Sequence, residues 1–403
     1  MILFYVIAGL VLLQSAVSLR GGFRYLAFFR REAGAAPPVY TPFASVIVPC
    51  RGIDQGLTEN FAALFAQDYP AYEIVFVGDR REDPALALAE ELRGSLRGGG
   101  VTRSRVVVAG AARESGQKVY NLLAAVREAD AASEVFVFVD TDARPQAGWL
   151  RSLIAPLAHS GTGAATGYRW FIPVRGGLAS HLRSVWNASI ASALGPDTRR
   201  NFCWGGSTAV RRETFERLGV AEAWRGALSD DYALTRTLQS AGLPIHFVPT
   251  CLTPSFEDCT FGELFEFTTR QLKITRVYAP HLWKIVLFSN LLFTLAFFGG
   301  GALVAARAAL GLPFAAPLAL LCAIFLTGAL KAFVRLRAVA ISLAPHRARI
   351  WRGAWAHLLL WPLTAALFLY NALAAARSRR ITWRGITYEL ISPTETAIIQ
   401  SDK

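Results

Sequence analysis

Short unbroken apolar runs and longer periodic stretches take turns along residues 44 to 140. The runs ASVIVP (Ala44 to Pro49), EIVFVG (Glu73 to Gly78), SRVVVAG (Ser104 to Gly110) and EVFVFV (Glu134 to Val139) are too short for helices and show no polar face. They predict strands buried on both sides. Between them, LTENFAALFAQ (Leu57 to Gln67), PALALAEELRG (Pro84 to Gly94) and KVYNLLAAVREA (Lys118 to Ala129) repeat apolar residues every three or four positions. Those stretches predict amphipathic helices, the second with proline in its first turn. The alternation predicts an α/β fold with a doubly wound, Rossmann-like and mostly parallel sheet, whose ligands sit beyond the carboxyl ends of the strands. Arg51, Asp79 and Asp140 follow three of these strands closely, so they are expected on one rim.

A different pattern brackets this region. Residues 2 to 19, ILFYVIAGLVLLQSAVSL, are uncharged and long enough to span a bilayer. Their basic residues follow the apolar stretch instead of preceding it, which predicts an uncleaved anchor (1–20) with the chain from residue 20 onward on the cytoplasmic side. A basic juxtamembrane linker, 21–43, contains GAAPPVYTPF (Gly34 to Phe43) and leads to the domain at 44–283. Three further apolar runs, 285–306, 312–330 and 354–376, predict about three transmembrane helices within 284–376, before a basic tail at 377–403. Three crossings would put that tail outside, whereas Arg377, Arg379, Arg380 and Arg384 favour the inside. Either one run is re-entrant or interfacial, or the charge rule fails here. GGLASHLRSVWNASIASAL (Gly176 to Leu194) predicts an amphipathic helix, for the headgroup region or for packing on the sheet.

Composition narrows the class. The 403 residues are 53% hydrophobic yet carry a formal charge of +13, a pairing expected of a membrane protein with a sizeable extramembrane domain. The arginines cluster beside apolar segments, in RGGFRYLAFFRR (Arg20 to Arg31), KAFVRLR (Lys331 to Arg337) and RSRRITWR (Arg377 to Arg384). That placement fits anionic headgroups and argues against nucleic acid as the partner, so none is expected. The five cysteines are odd in number and lack CxxC spacing, which points to buried thiols in a reducing compartment, with a Cys251–Cys259 bridge as the alternative. On the same reading the NAS sequon at Asn187 is accidental, and neither His181 nor His246 has a partner at metal-ligand spacing.

Candidate chemistry begins where the strand Val135 to Val139 runs into Asp140-Thr141-Asp142. Mg²⁺ and Mn²⁺ take oxygen ligands, and a nucleotide diphosphate supplies several, so one or two protein carboxylates suffice. Aspartates at strand ends also cap loops and helices, so the triplet alone does not decide. Asp79, ending the second strand, offers an acceptor to a base or ribose, or is an ordinary turn residue. Gly205 and Gly206, preceding a small polar residue and a helix, let a sugar or phosphate approach the backbone, or form a tight turn. Asp230 and Asp231 open another helix; their repulsion raises the proton affinity of one and suits a general base, while N-capping is the plain alternative.

The ordered set of an aspartate at the second strand, DxD at the fourth, a GG turn and an acidic pair before a helix resembles the membrane-bound family 2 type of glycosyltransferases, which have the GT-A fold. Within them, GIDQGLTENFAALFAQDYPAYEIVFV (Gly52 to Val77), DRREDPAL, KVYNL, SDDYAL and ITWRGITYEL (Ile381 to Leu390) are most similar to ceramide glucosyltransferase and its bacterial relatives. The resemblance implies that Asp79 meets the nucleotide base, that Arg51 and Lys118 lie near the nucleotide, and that Asp140 and Asp142 hold a divalent cation and the diphosphate. It implies Asp231 as the base, with Asp230 where the family usually has Glu. The expected (Q/R)xxRW element corresponds to RQLKI, in which Arg270 is kept but Lys273 and Ile274 replace Arg and Trp. Lysine keeps the charge and loses the planar fork, and isoleucine cannot stack on a sugar, which favours a lipid acceptor over a growing glycan. Ile274 and Trp204 are the acceptor-side candidates. A basic amphipathic helix on the membrane is the plain reading of the same stretch.

The resulting expectation is an inverting enzyme moving a hexose from UDP-glucose or a related donor to a lipid hydroxyl, such as that of ceramide, at the cytoplasmic face. Two alternatives are a processive polysaccharide synthase and a catalytically silent nucleotide- or lipid-binding relative. Trp383, Arg384 and Tyr388 of the tail either return to the site or sit at the membrane interface.

Overall fold

A computed structural model describes residues 1–35, 38–95 and 100–401. Part of the expected linker, residues 36 and 37, and the last two residues of the tail lie outside the described residues. The chain divides into two compact units, each assembled from separate stretches of sequence.

The α/β unit comprises Arg31–Phe171, Ala193–Glu257 and the chain from Arg379 onward. Among the described residues its main sheet has seven strands: β1 (Ala44–Pro49), β2 (Tyr72–Gly78), β3 (Val101–Val108), β4 (Val135–Phe138), β5 (Ala164–Phe171), β6 (Thr208–Arg211) and β7 (Ile245–Ser255). They are ordered β3-β2-β1-β4-β6-β5-β7. β6 runs antiparallel to both neighbours, and every other pairing is parallel. The unbroken apolar runs of β1, β2 and β4 reflect burial on both faces, whereas β3, at the end of the sheet, is only partly buried. Val135 and Val137 join Phe61, Leu64 and Leu150 on one side; Phe136 and Phe138 join Leu122, Phe215 and Trp224 on the other. Each such side chain contributes about 1.5–3 kcal/mol by leaving water.

Helices Leu57–Phe65, Pro84–Ser95 and Gln117–Glu128 lie where the periodicity predicts them. After the glycine pair the sequence suggests a helix, yet β6 intervenes before helix Arg212–Arg217. Four residues are too few for a periodic signal, and only pairing between β4 and β5 makes them a strand. The tail also surprises: β8 (Arg380–Trp383), β9 (Ile386–Ser392) and β10 (Glu395–Ser401) form an antiparallel sheet that belongs to this unit.

The helical unit comprises Met1–Arg30, Ile172–Ser192 and Asp258–Ser378. Among the described residues, three helices are long and apolar enough to cross a membrane: Ile2–Gly34, Pro280–Ala309 and Ala315–Ser342. The third C-terminal apolar run is instead divided at Leu360 into helices Ala354–Leu359 and Trp361–Arg377, with Pro362 in the first turn of the latter. Helix Leu178–Ala191 packs on helices of this unit: Trp186 stacks on Phe368 at 4.8 Å and meets Phe267 edge-on at 5.9 Å. Asn187 is buried in that packing. All five cysteines are free thiols, including Cys251 and Cys259.

Candidate active site

Strand direction gathers the candidate residues. β1, β2 and β4 are parallel, so Arg51, Asp79 and Asp140 leave the sheet at one rim. β6 enters the sheet from that same rim because it is antiparallel to β4, which brings Gly205 and Gly206 there. The C-terminal end of β5 adds Arg169.

At the centre of the rim, the Lys118 ammonium bridges Asp140 at 2.7 Å and Asp230 at 3.3 Å. Burial disfavours that charge, but Asp140, Asp230 and Asp231 outweigh it and strengthen its hold on the proton. Burial also works against Asp140, yet Lys118 and Arg169 keep its carboxyl below the usual carboxylate range. Asp230 goes the other way: burial, with repulsion from Asp231 and Asp140, overcomes Lys118 and pushes it up to about 6. The expected like-charge effect therefore falls on Asp230. Asp231 is half-buried, and its Oδ1 accepts from the Ser229 hydroxyl and from the Tyr232 amide at 2.8 Å. Ser229 is the N-cap of helix Asp230–Ser240, so Asp231 is held by the helix start.

The glycine pair has a packing reason. A Cβ on Gly205 would strike the Asp230 carboxylate and lie 2.7 Å from Lys118 Nζ; one on Gly206 would strike the Trp204 indole. Neither glycine has positive φ. Their smallness thus serves the close approach of site side chains. Trp204 in turn lies under the Arg169 guanidinium at 5.1 Å, and Arg169 Nη1 binds Asp142 at 2.7 Å.

Asp142 tests the fit of a divalent cation. Its Oδ1 is buried without a hydrogen-bond partner. Burial, together with Asp140 and Asp54, raises its proton affinity despite Arg169. A buried carboxylate oxygen in that condition suits a hard cation. Among the described residues no group of three or more His, Cys, Asp or Glu forms a closed metal cage, so a cation here needs oxygens from a ligand, as a diphosphate provides. The residues fit on those terms.

At the outer edge of the rim, Arg51 Nη1 pairs with Asp79 Oδ2, while Asp79 Oδ1 is buried without a partner. Asp83 holds the turn after Arg51 by accepting from the Gly52 amide at 3.0 Å, and it caps helix Pro84–Ser95 through the Ala85 amide at 2.9 Å. Asp54 accepts from the Thr141 hydroxyl at 2.5 Å and pairs with Arg384 at 2.5 Å. The sequence assigned no role to Asp54, Asp83 or Arg169, although Asp54 and Asp83 stand in stretches that carry the family resemblance, and for Arg384 it left open whether the tail returns to the site; Arg169 lies in a segment with no sequence signal of its own.

Arg270, Lys273 and Ile274 belong to the helical unit, on helix Phe261–Tyr278, which starts with a capping box between Thr260 and Glu263. Arg270 pairs with Glu266 one turn back at 3.6 Å and lies over the Phe267 ring. Ile274 and Trp204, the acceptor-side candidates, are 7% and 5% exposed, so each presents little surface to an acceptor.

A sheet of this order, with its one antiparallel strand and its carboxylates and cations drawn to a single rim, is the GT-A architecture of glycosyltransferases. The chain belongs to glycosyl transferase family 21, whose family model matches residues 7–396. The resemblance to ceramide glucosyltransferase and its relatives is borne out at the level of the family. Among solved structures, a mannosyltransferase from Pyrobaculum calidifontis, in complex with GDP-Man and Mn²⁺, is similar over 93% of this chain and 98% of its own, at 20% identity and a TM-score of 0.47. GalNAc-T7, solved with UDP, GalNAc and Mn²⁺, is similar over 56% of this chain and 45% of its own, at 16% identity and a TM-score of 0.40. Glucosyl-3-phosphoglycerate synthase from Mycobacterium tuberculosis, with Mn²⁺ and UDP-glucose, is similar over 62% and 82%, at 17% identity and a TM-score of 0.39.

Proposed function

We propose that this glycosyltransferase inverts the anomeric centre as it moves a hexose from a nucleotide donor, UDP-glucose first among them, to a lipid hydroxyl such as that of ceramide, at the cytoplasmic membrane face. The observation that carries this reading is the Lys118–Asp140–Asp230 cluster with Asp231 beside it at a helix N-terminus. It joins a diphosphate-binding turn to a proton acceptor within one rim.

Asp231 takes the proton as the acceptor hydroxyl attacks the anomeric carbon from the face opposite the leaving diphosphate. Asp140 and Asp142 would hold a divalent cation, Mg²⁺ or Mn²⁺, which when bound neutralises charge developing on the diphosphate. Lys118 and Arg169 keep those two carboxylates aligned, and Asp79, oriented by Arg51, receives the base. The buried Ile274 and the lysine at 273 favour a small lipid acceptor over a processive glycan, which needs an aromatic platform. The tail sheet belongs to the α/β unit, which supports an even number of crossings between Pro280 and Ser378. Two crossings, at Pro280–Ala309 and Ala315–Ser342, satisfy this and keep the basic tail on the cytoplasmic side.

The test incubates the full-length protein in detergent with a panel of nucleotide sugars, lipid extracts and Mn²⁺, and identifies products by mass spectrometry. A new β-linked glycolipid from an α-linked donor is expected. No product across the panel would overturn the reading, and Asp142→Ala should abolish the Mn²⁺ dependence of UDP binding.

A further inference from the structure

The hairpin between β8 and β9 turns at Arg384 and Gly385, with φ of 51° and 76°, while Trp383 faces Ile386 across it. Such a two-residue turn needs positive φ at both positions and favours Asn-Gly or Gly-Gly. Among the described residues Arg384 is the one non-glycine with positive φ, so an arginine occupies the place where it is least comfortable. Strain of this kind persists where a side chain or backbone contact holds it.

The contacts of the tail sheet account for it. The Arg384 carbonyl accepts from Arg51 Nε at 2.8 Å, fixing the arginine that pairs with Asp79. The Arg384 guanidinium binds Asp54 Oδ1, and Asp54 Oδ2 accepts from Thr141, the middle residue of the DTD turn. One residue thus ties the Asp79 end of the rim to the DTD end. Further along, the Tyr388 hydroxyl accepts from the Gln117 amide at 3.2 Å, at the start of the helix that carries Lys118. The Thr394 carbonyl lies against Gly226 so closely that a Cβ there is excluded, and Gly226 opens the loop that leads to Asp230.

We propose that the C-terminal hairpin is a built part of the donor site, with Arg384 as a positioning residue that sets Arg51 and the DTD turn for a nucleoside diphosphate. This rests on the nucleotide-sugar reading above. The tail sheet touches three of the segments that the mechanism uses, at Arg51 and Asp54, at Gln117 and at Gly226, and it reaches the DTD turn through Asp54, although about 150 residues of sequence separate it from Asp231. Its Arg384 charge is itself reinforced: burial is outweighed by Asp54, with Asp142 and Glu257 adding to it.

The experiment uses the full-length protein in detergent, with UDP and Mn²⁺ as the calorimetric probe and thermal unfolding measured alongside. Arg384→Asn relieves the turn, so its Tm is expected to hold or rise while UDP binding weakens by about tenfold, the scale of one charge-assisted hydrogen bond. Arg384→Lys should recover part of the affinity. Combining Arg384→Asn with Asp54→Asn should cost no more than the worse single variant, because both act through one contact. Wild-type-like UDP affinity in Arg384→Asn, or a loss of affinity that merely follows a fall in Tm, overturns the proposal and leaves the donor reading standing. A wild type that binds no UDP or GDP removes both.

Discussion

Asp230 and Asp231 are neighbours with opposite surroundings. Asp230 faces Lys118 in a buried pocket and Asp231 is half-exposed at the helix start. Replacing Asp231 by Asn should lower kcat by roughly 10²–10⁴-fold, the usual worth of a general base, with UDP affinity nearly unchanged by calorimetry; turnover near wild type would remove the role. Asp230, pushed up to about 6, binds its proton more tightly in the native chain than in the unfolded one. By itself it therefore favours the fold at acid pH, and that contribution is lost as pH rises through about 6. Activity runs the other way, because a protonated Asp230 no longer holds Lys118. The profile of kcat/KM should fall below about pH 6, and a limb that persists unchanged in Asp230→Asn would assign it elsewhere. Gly205→Ala places a methyl group against both Asp230 and Lys118; since small displacements of reacting groups cost about 10²-fold, a comparable loss of transfer is expected with Tm little changed. The sequence marked the acidic pair and the glycines, but which aspartate is buried depends on how the helix meets Lys118.

At the scale of elements, β1, β2 and β4 deliver their residues to one rim because they are parallel and buried on both faces. Their unbroken apolar runs made this much readable. β6 and the tail sheet were not readable: β6 is four residues long, and the tail strands acquire their place from pairing alone. Helix Phe261–Tyr278 shows a related limit. RQLKI departs from the expected motif, and restoring the aromatic residue tests whether it is missed. Ile274 is buried, so Ile274→Trp should overpack and destabilise by about 1–3 kcal/mol, measured as a lower midpoint in thermal unfolding, with no gain in transfer. A gain in activity would mean that this position still expects its ring.

For the whole molecule, the proposed even number of crossings answers a conflict that charge counting left open. With the tail in the α/β unit, a tag inserted near Gly311, between the two apolar C-terminal helices, should lie on the opposite side of a sealed vesicle from a tag placed after the tail. Protease protection reads this directly, and both tags on one face would overturn the two-crossing arrangement. Sequence by itself determined the alternating α/β order, the apolar helices and the acidic and glycine motifs, because hydrophobic period and turn chemistry are local. Tertiary structure alone decided that Asp54, Arg169 and Arg384 share the rim with those motifs. Their positions are set by strand pairing and by a hairpin returning from the far end of the chain, and no local pattern records where a distant segment will pack.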